Sequence, residues 1–211
     1  MEKKYICFSG DDETTSPLDQ FYLEDLTKAV RSLNNKGENL GIIYRKCPVD
    51  LTNRYDKVIE ENIDLITRID PIWNAVGRVW NQVMPTKEDV AMLVNVCYHS
   101  EFVTNVCSST VFDFVIHNKS CIYYNYEQPQ LKSGIRDIGQ NYKYVHFRSM
   151  PSKEAAVFCT DKNDLEGLVH DILNRELSNV KDGLTWYEII AGETPKKASK
   201  NIWSTIKQIL N

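Results

Sequence analysis

The chain has 211 residues, 42% hydrophobic and 26% charged, which is ordinary globular composition and enough for one sizeable α/β domain. Eleven Tyr, seven Phe and four Trp exclude a disordered chain. A net charge of −4 without a long basic run argues against nucleic acid as a partner.

The densest basic patch, Lys196, Lys197 and Lys200, reads as a solvated helix start. No stretch approaches the roughly 18 apolar residues of a membrane span. The leading MEKKYICFSGDD lacks a signal peptide's apolar region. The expectation is a cytoplasmic protein, peripheral to a membrane only through a further domain. Cys7, Cys47, Cys97, Cys107, Cys121 and Cys159 form no CxxC pair, so they read as small buried hydrophobes rather than zinc ligands.

Tyr5 to Ser9 predicts a first strand that ends in the loop Ser9-Gly10-Asp11-Asp12. Thr14 to Pro17 predicts a helix start, with Ser16 as N-cap and Pro17 at the first helical position. Phe21, Leu23, Leu26, Val30 and Leu33 supply the helical face, and Gly37 closes it. Leu40 to Tyr44 is a second strand, Tyr55 to Glu61 a helix and Asp64 to Ile69 a third strand. Between Trp73 and Met84 the pattern is ambiguous, with Trp73, Val76 and Trp80 on one face if it is helical. Thr86 and Asp89 resemble a capping box before the apolar face of Val90, Leu93, Val94 and Cys97.

Phe102 to Val106 is a strand, Thr110 to Asn118 a short helix and Cys121 to Tyr126 a strand. Gln128 to Tyr142 is loop-like. Tyr144 to Phe147 and Ala156 to Cys159 look like strands, Leu165 to Leu177 a helix, and two more helices lie around Trp186 to Ile190 and Lys200 to Leu210. Apolar strands alternating with helices predict an α/β fold: a Rossmann-like parallel sheet with helices on both faces and a helical C-terminal tail. The division expected is 1–178 for the domain and 179–211 for a helical tail that packs on it or on a further, N-terminal half. In such sheets ligands sit beyond the carboxyl ends of the strands.

The segment NVCSSTVFDF, Asn105 to Phe114, runs an apolar strand into Ser108, Ser109 and Thr110 and then into a helix. A helix start exposes unpaired N–H groups, and small hydroxyl residues let a phosphate approach. The same three residues also suit ordinary capping. Arg45, at the end of a strand, suits bidentate phosphate binding or a surface ion pair with Asp50 or Asp56. Thr14 and Thr15 suit phosphate donation or capping. Asp113, one turn into the short helix, suits a ribose hydrogen bond or, preferably, a buttress for the loop. His99, which precedes the strand leading to Ser108, is a weaker candidate, and His146 reads as structural. The histidines share no metal-ligand spacing and no Asp-x-Asp follows a strand, so no metal and no other cofactor is expected. Gly-x-Ser-x-Gly, P-loop and GxGxxG motifs are absent.

The run NVCSSTVFDFVIHNKSCIYYNYEQ resembles the donor-binding stretch of GT-B glycosyltransferases, and more closely the CDP-glycerol glycerophosphotransferase group. Ser108-Ser109, Phe112-Asp113 and Asn118-Lys119 match that pattern in order, while Ser120 stands where Pro is usual. Glu127-Gln128 resembles the acidic-Gln pair with which many such enzymes hold the donor sugar. FSGDDETTSP and IIYRKCPVD look like the first two strand ends of the C-terminal GT-B half, and the likeness runs from Tyr5 to Gln128. The resemblance implies a donor site for a nucleotide-diphosphate-activated sugar, an N-terminal acceptor-binding domain as partner, and no turnover by this half alone. A non-catalytic interaction module on the same fold is the alternative.

Overall fold

A computed structural model describes residues 2–77, 82–192 and 197–210. The chain order is β1 (Lys4–Ser9), α1 (Asp19–Asn35), β2 (Leu40–Arg45), α2 (Asp56–Glu61), β3 (Ile66–Ile69), β4 (Trp73–Ala75), β5 (Val83–Pro85), α3 (Lys87–His99), β6 (Ser100–Asn105), α4 (Thr110–Val115) and β7 (Ser120–Tyr124). There follow α5 (Ile138–Asn141), α6 (Val145–Arg148), β8 (Val157–Cys159), α7 (Leu165–Leu173), α8 (Val180–Ala191) and α9 (Ala198–Leu210).

Six strands form one parallel sheet in the order β3-β2-β1-β6-β7-β8. The chain works outward from β1 to β3, then returns to the other side of β1. The direction of winding therefore reverses between β1 and β6, and at such a switch point the loops on either side separate and leave a crevice. α1 packs with α2 and α7, while α3 and α4 cover the strands around β6 with α8 behind them. Central strands are apolar on both faces (Ile6, Cys7, Phe8; Val103; Cys121, Ile122, Tyr123), as burial beneath two helical layers requires.

The long helix α1 forms because Tyr22, Leu23, Leu26, Val30 and Leu33 recur at helical spacing, and all five are buried. It stops at Gly37, whose φ of 105° a side chain would disfavour. It begins at Asp19, two residues past the expected Pro17, because Ser16 instead hydrogen-bonds the Asp19 carboxylate at 2.9 Å.

One expected element changes class and one ambiguous stretch resolves. Val145–Arg148 is a short helix rather than a strand, since the Phe147 ring turns inward against Tyr123, Tyr142 and Trp186. Around Trp73 the chain forms the antiparallel pair β4–β5 rather than a helix, and Trp80 lies outside the described residues. The hairpin is held from outside: the Asp89 carboxylate accepts from Ile72 N–H at 2.7 Å and Trp73 Nε1–H at 2.7 Å. Thr86 does cap α3, accepting from Asp89 N–H at 3.1 Å.

Trp186 of α8 is fully buried, packs edge-to-face on Phe112 at 4.8 Å, and donates to the His146 carbonyl. It anchors α8 to this sheet rather than reaching toward another domain. All six cysteines are free and five are buried.

Candidate functional site

The loops after β1 and β6 face each other across the switch point. Ser9, the last residue of β1, lies 3.2 Å by its hydroxyl from that of Thr110. Gly10 follows where a Cβ would stand 2.9 Å from the Tyr44 ring, so the close approach requires glycine. On the β6 side, Asn105 accepts from Ser108 N–H at 2.9 Å, and Tyr123 O–H donates to the Ser108 carbonyl at 2.7 Å. Cys107 between them has φ of 48°, a left-handed conformation costing a non-glycine residue on the order of 1 kcal/mol. The strain bends the loop so that Ser108 and Thr110 converge, their hydroxyls 2.7 Å apart. Ser109 is exposed, and its hydroxyl makes none of the described hydrogen bonds. α4 spans only six residues, ending before the expected Asn118, so the loop's N–H and O–H donors matter more here than any helix dipole.

The β1 loop is built differently. Asp12 accepts from Thr14 N–H at 2.8 Å, from Thr15 N–H at 3.1 Å and from Thr15 O–H at 2.6 Å, and also from the Thr14 hydroxyl. These donors hold its carboxyl below the usual range although burial opposes them. Asp19 is fully buried, accepting from Asp11 N–H at 3.0 Å and Tyr55 O–H at 2.6 Å. Arg54 ties this loop to the next: it donates to the Ser16 and Asp11 carbonyls and to Asp50 at 3.0 Å, with its guanidinium over the Tyr55 ring. Burial, reinforced by Asp19, pushes the Asp11 carboxyl well above its ordinary value. Arg54, Asp11 and Asp19 were not legible as a site. Asp11-Asp12 was the only trace of it, and Arg54 becomes significant only when the β2–α2 loop folds beside β1.

Arg45 ends β2, but its guanidinium pairs with Asp89 at 2.6 Å, and the two side chains are only 8% and 5% exposed. The ion pair is therefore buried and does not involve Asp50 or Asp56, which pair with Arg54 and Arg68. Burial alone would raise the Asp89 pKa, yet the Ile72 N–H, Arg45 and Trp73 donors together lower it.

Asp113 is largely buried on the α3 side, and burial raises its carboxyl to about 6, with His117 opposing. Glu127 accepts from Ile138 N–H at 2.8 Å and shares a shallow depression with Thr15 and Arg136. Gln128 turns away, donating to Asp25 of α1 at 2.8 Å, and is buried. Ser108 and Thr110 thus meet Ser9 at the carboxyl ends of β1 and β6 with Ser109 exposed beside them, Thr15 and Glu127 line a separate depression by the start of α1, and Arg45 and Gln128 are engaged elsewhere. His99 ends α3 at the amino edge of β6, opposite the Ser108 loop, so it is not part of this site. Among the described residues, no cluster of His, Cys, Asp or Glu is arranged to hold a metal.

No family model matches the sequence, and no curated protein matches it. Solved structures match at the level of fold. S. aureus MnaA with UDP shares 14% identity at a TM-score of 0.51, covering 94% of this chain and 47% of that one. The wall teichoic acid polymerase TagF soaked with CDPG shares 15% at 0.53, covering 98% and 42%. UDP-GlcNAc 2-epimerase from Neisseria meningitidis bound to UDP-GlcNAc shares 10% at 0.51, covering 98% and 45%. The fold is accordingly a Rossmann-like α/β unit of the kind that makes up one half of GT-B proteins. This chain spans less than half the length of each of the three.

Proposed function

We propose that the chain is the donor-binding half of a glycosyltransferase-like protein, taking a nucleotide-diphosphate-activated donor and leaving acceptor binding to another domain. Residues 1–178 form the binding unit in this reading, and of the tail over 179–211 it is α8 that braces it, through Trp186. The observation that carries it is the exposed Ser109 hydroxyl, which makes none of the described hydrogen bonds and stands in the Ser108–Thr110 loop at the switch point between β1 and β6. Ser108, Ser109 and Thr110 take the diphosphate, and Thr15 borders it. Glu127 faces the sugar from the depression it shares with Thr15, and Asp113 supports the loop from beneath. Thr14 and Arg45 contribute indirectly, Thr14 by fixing Asp12 and Arg45 by fixing the end of β2. Gln128 serves by holding the Glu127 turn against α1.

The chain alone orients a donor and offers the leaving diphosphate hydrogen-bond donors, without completing a turnover. Calorimetric titration of the folded protein with UDP-, GDP- and CDP-activated donors tests this. A donor affinity that falls about fivefold in Ser109→Ala supports it, and silence of the parent at millimolar ligand eliminates it. One feature favours the alternative, an interaction module: the β1 loop carries Asp11, Asp12 and Asp19, which repel phosphate. A partner retained by variants that bind no nucleotide would establish that reading.

A further inference from the structure

α9 (Ala198–Leu210) leaves a complete amphipathic face uncovered. None of its residues is buried; Trp203 is 63% exposed and Leu210 79%. Ile202, Ile206 and Ile209 follow one another at i, i+4 and i+7, with Trp203 and Leu210 as a parallel row beside them, so five large apolar side chains share one stripe. Single exposed apolar residues are normal, but a continuous stripe with a tryptophan marks a contact surface.

Charge indicates what covers it. After Glu193 the only charged residues are Lys196, Lys197, Lys200 and Lys207, a purely basic segment in a chain of net charge −4. Lys196 lies outside the described residues; Lys197, Lys200 and Lys207 are exposed. Lys200 stands three residues before Trp203 and Lys207 four after it, which places both ammonium groups along the tryptophan edge of the stripe. Lysines flanking an apolar row lay their stems on it while the charged ends reach a polar layer. A protein interface in a net acidic molecule gives no reason for cations alone to border its apolar core. An anionic bilayer surface does: apolar side chains enter the acyl boundary while lysines meet headgroup phosphates. No helix among the described residues is long and apolar enough to cross a membrane, so this contact would lie in the interface plane.

We infer that α9 is an interfacial anchor that docks the protein on anionic lipid bilayers. The inference is independent of the donor site. The full chain is sedimented with vesicles of phosphatidylcholine alone and of phosphatidylcholine mixed with phosphatidylglycerol. Partitioning is expected only with the anionic vesicles, weakening as salt rises. Lys200→Gln with Lys207→Gln should lower the partition coefficient about 25-fold, about fivefold per lysine. Trp203→Ser with Ile206→Ser should lower it about 100-fold. Because these side chains are exposed, both variants should keep the parent's melting temperature and circular dichroism. Equal partitioning into both vesicles, unchanged partitioning of either variant, or sedimentation with neither would overturn the inference. The last includes the case in which α9 instead drives concentration-dependent self-association on size exclusion.

Discussion

The loops that follow β1 and β2 and the loop that follows β6 border one crevice, yet they are assembled from opposite chemistry. On the β1–β2 side, carboxylates and arginines are consumed by one another: Asp12 takes the donors of Thr14 and Thr15, Arg54 binds Asp50 and two carbonyls, and Arg45 is buried on Asp89. On the β6 side a strained Cys107 turns out a row of small hydroxyls, with Ser109 exposed. A position beyond the carboxyl ends of the strands therefore does not by itself make a ligand contact. What separates the two loops is the exposed Ser109 hydroxyl, since the Ser108 and Thr110 donors also have partners inside the protein.

The largest effect should come from the closed side. Arg45→Ala leaves the Asp89 carboxylate buried without its cation and should destabilise the protein by about 3–5 kcal/mol in denaturant unfolding. A loss below about 1 kcal/mol, together with a large loss of donor affinity, would move Arg45 to the open side of the comparison.

An intermediate effect, of opposite sign, belongs beneath the β6 loop. Asp113 has its folded pKa raised by burial to about 6, against an ordinary value of 3.8. The folded state then binds the proton more tightly than the unfolded chain does. Stability falls as pH rises from about 4 to about 6 and stays at the lower level above that range. Asp113→Asn removes the penalty and should stabilise the fold by about 1–3 kcal/mol at neutral pH. That gain should vanish near pH 4. A thermal-melt series showing the same difference at every pH would exclude burial of the charge as its cause.

The smallest stability change is expected at Ser109→Ala, within about 0.5 kcal/mol because the hydroxyl is exposed and makes no described bond. Donor affinity should nonetheless fall about fivefold, one hydrogen bond's worth. Equal affinity of parent and variant in calorimetry would mean that the open loop is open for another reason.

Much of the fold was legible in the chain. Leu40 to Tyr44 is apolar on both faces, as a strand of a covered parallel sheet is, and the spacing of Leu23, Leu26, Val30 and Leu33 admits little but a helix, whose buried aromatic is Tyr22 where Phe21 was expected. Ser108, Ser109 and Thr110 could be placed after a strand and before a helix from local pattern alone. Val145–Arg148 was misread as strand and the region of β4 and β5 stayed ambiguous because each element is too short to carry a period. Their conformations are set by partners distant in sequence, Trp186 for one and Asp89 for the other. Trp186 itself fixes α8 on α4, and its spacing gave no hint of that partner.

The sequence by itself determined the alternation of strands and helices and the hydroxyl loop, because each is a property of neighbouring residues. Only the tertiary structure decided which charged groups are available. Arg45 looks suited to phosphate in one dimension and Arg54 carries no such sign, yet both prove to be bound to carboxylates, 44 and 4 residues away. Such pairings depend on which loops the sheet order brings side by side. Burial then sets their strength, since two charges removed from water must find each other or remain uncompensated.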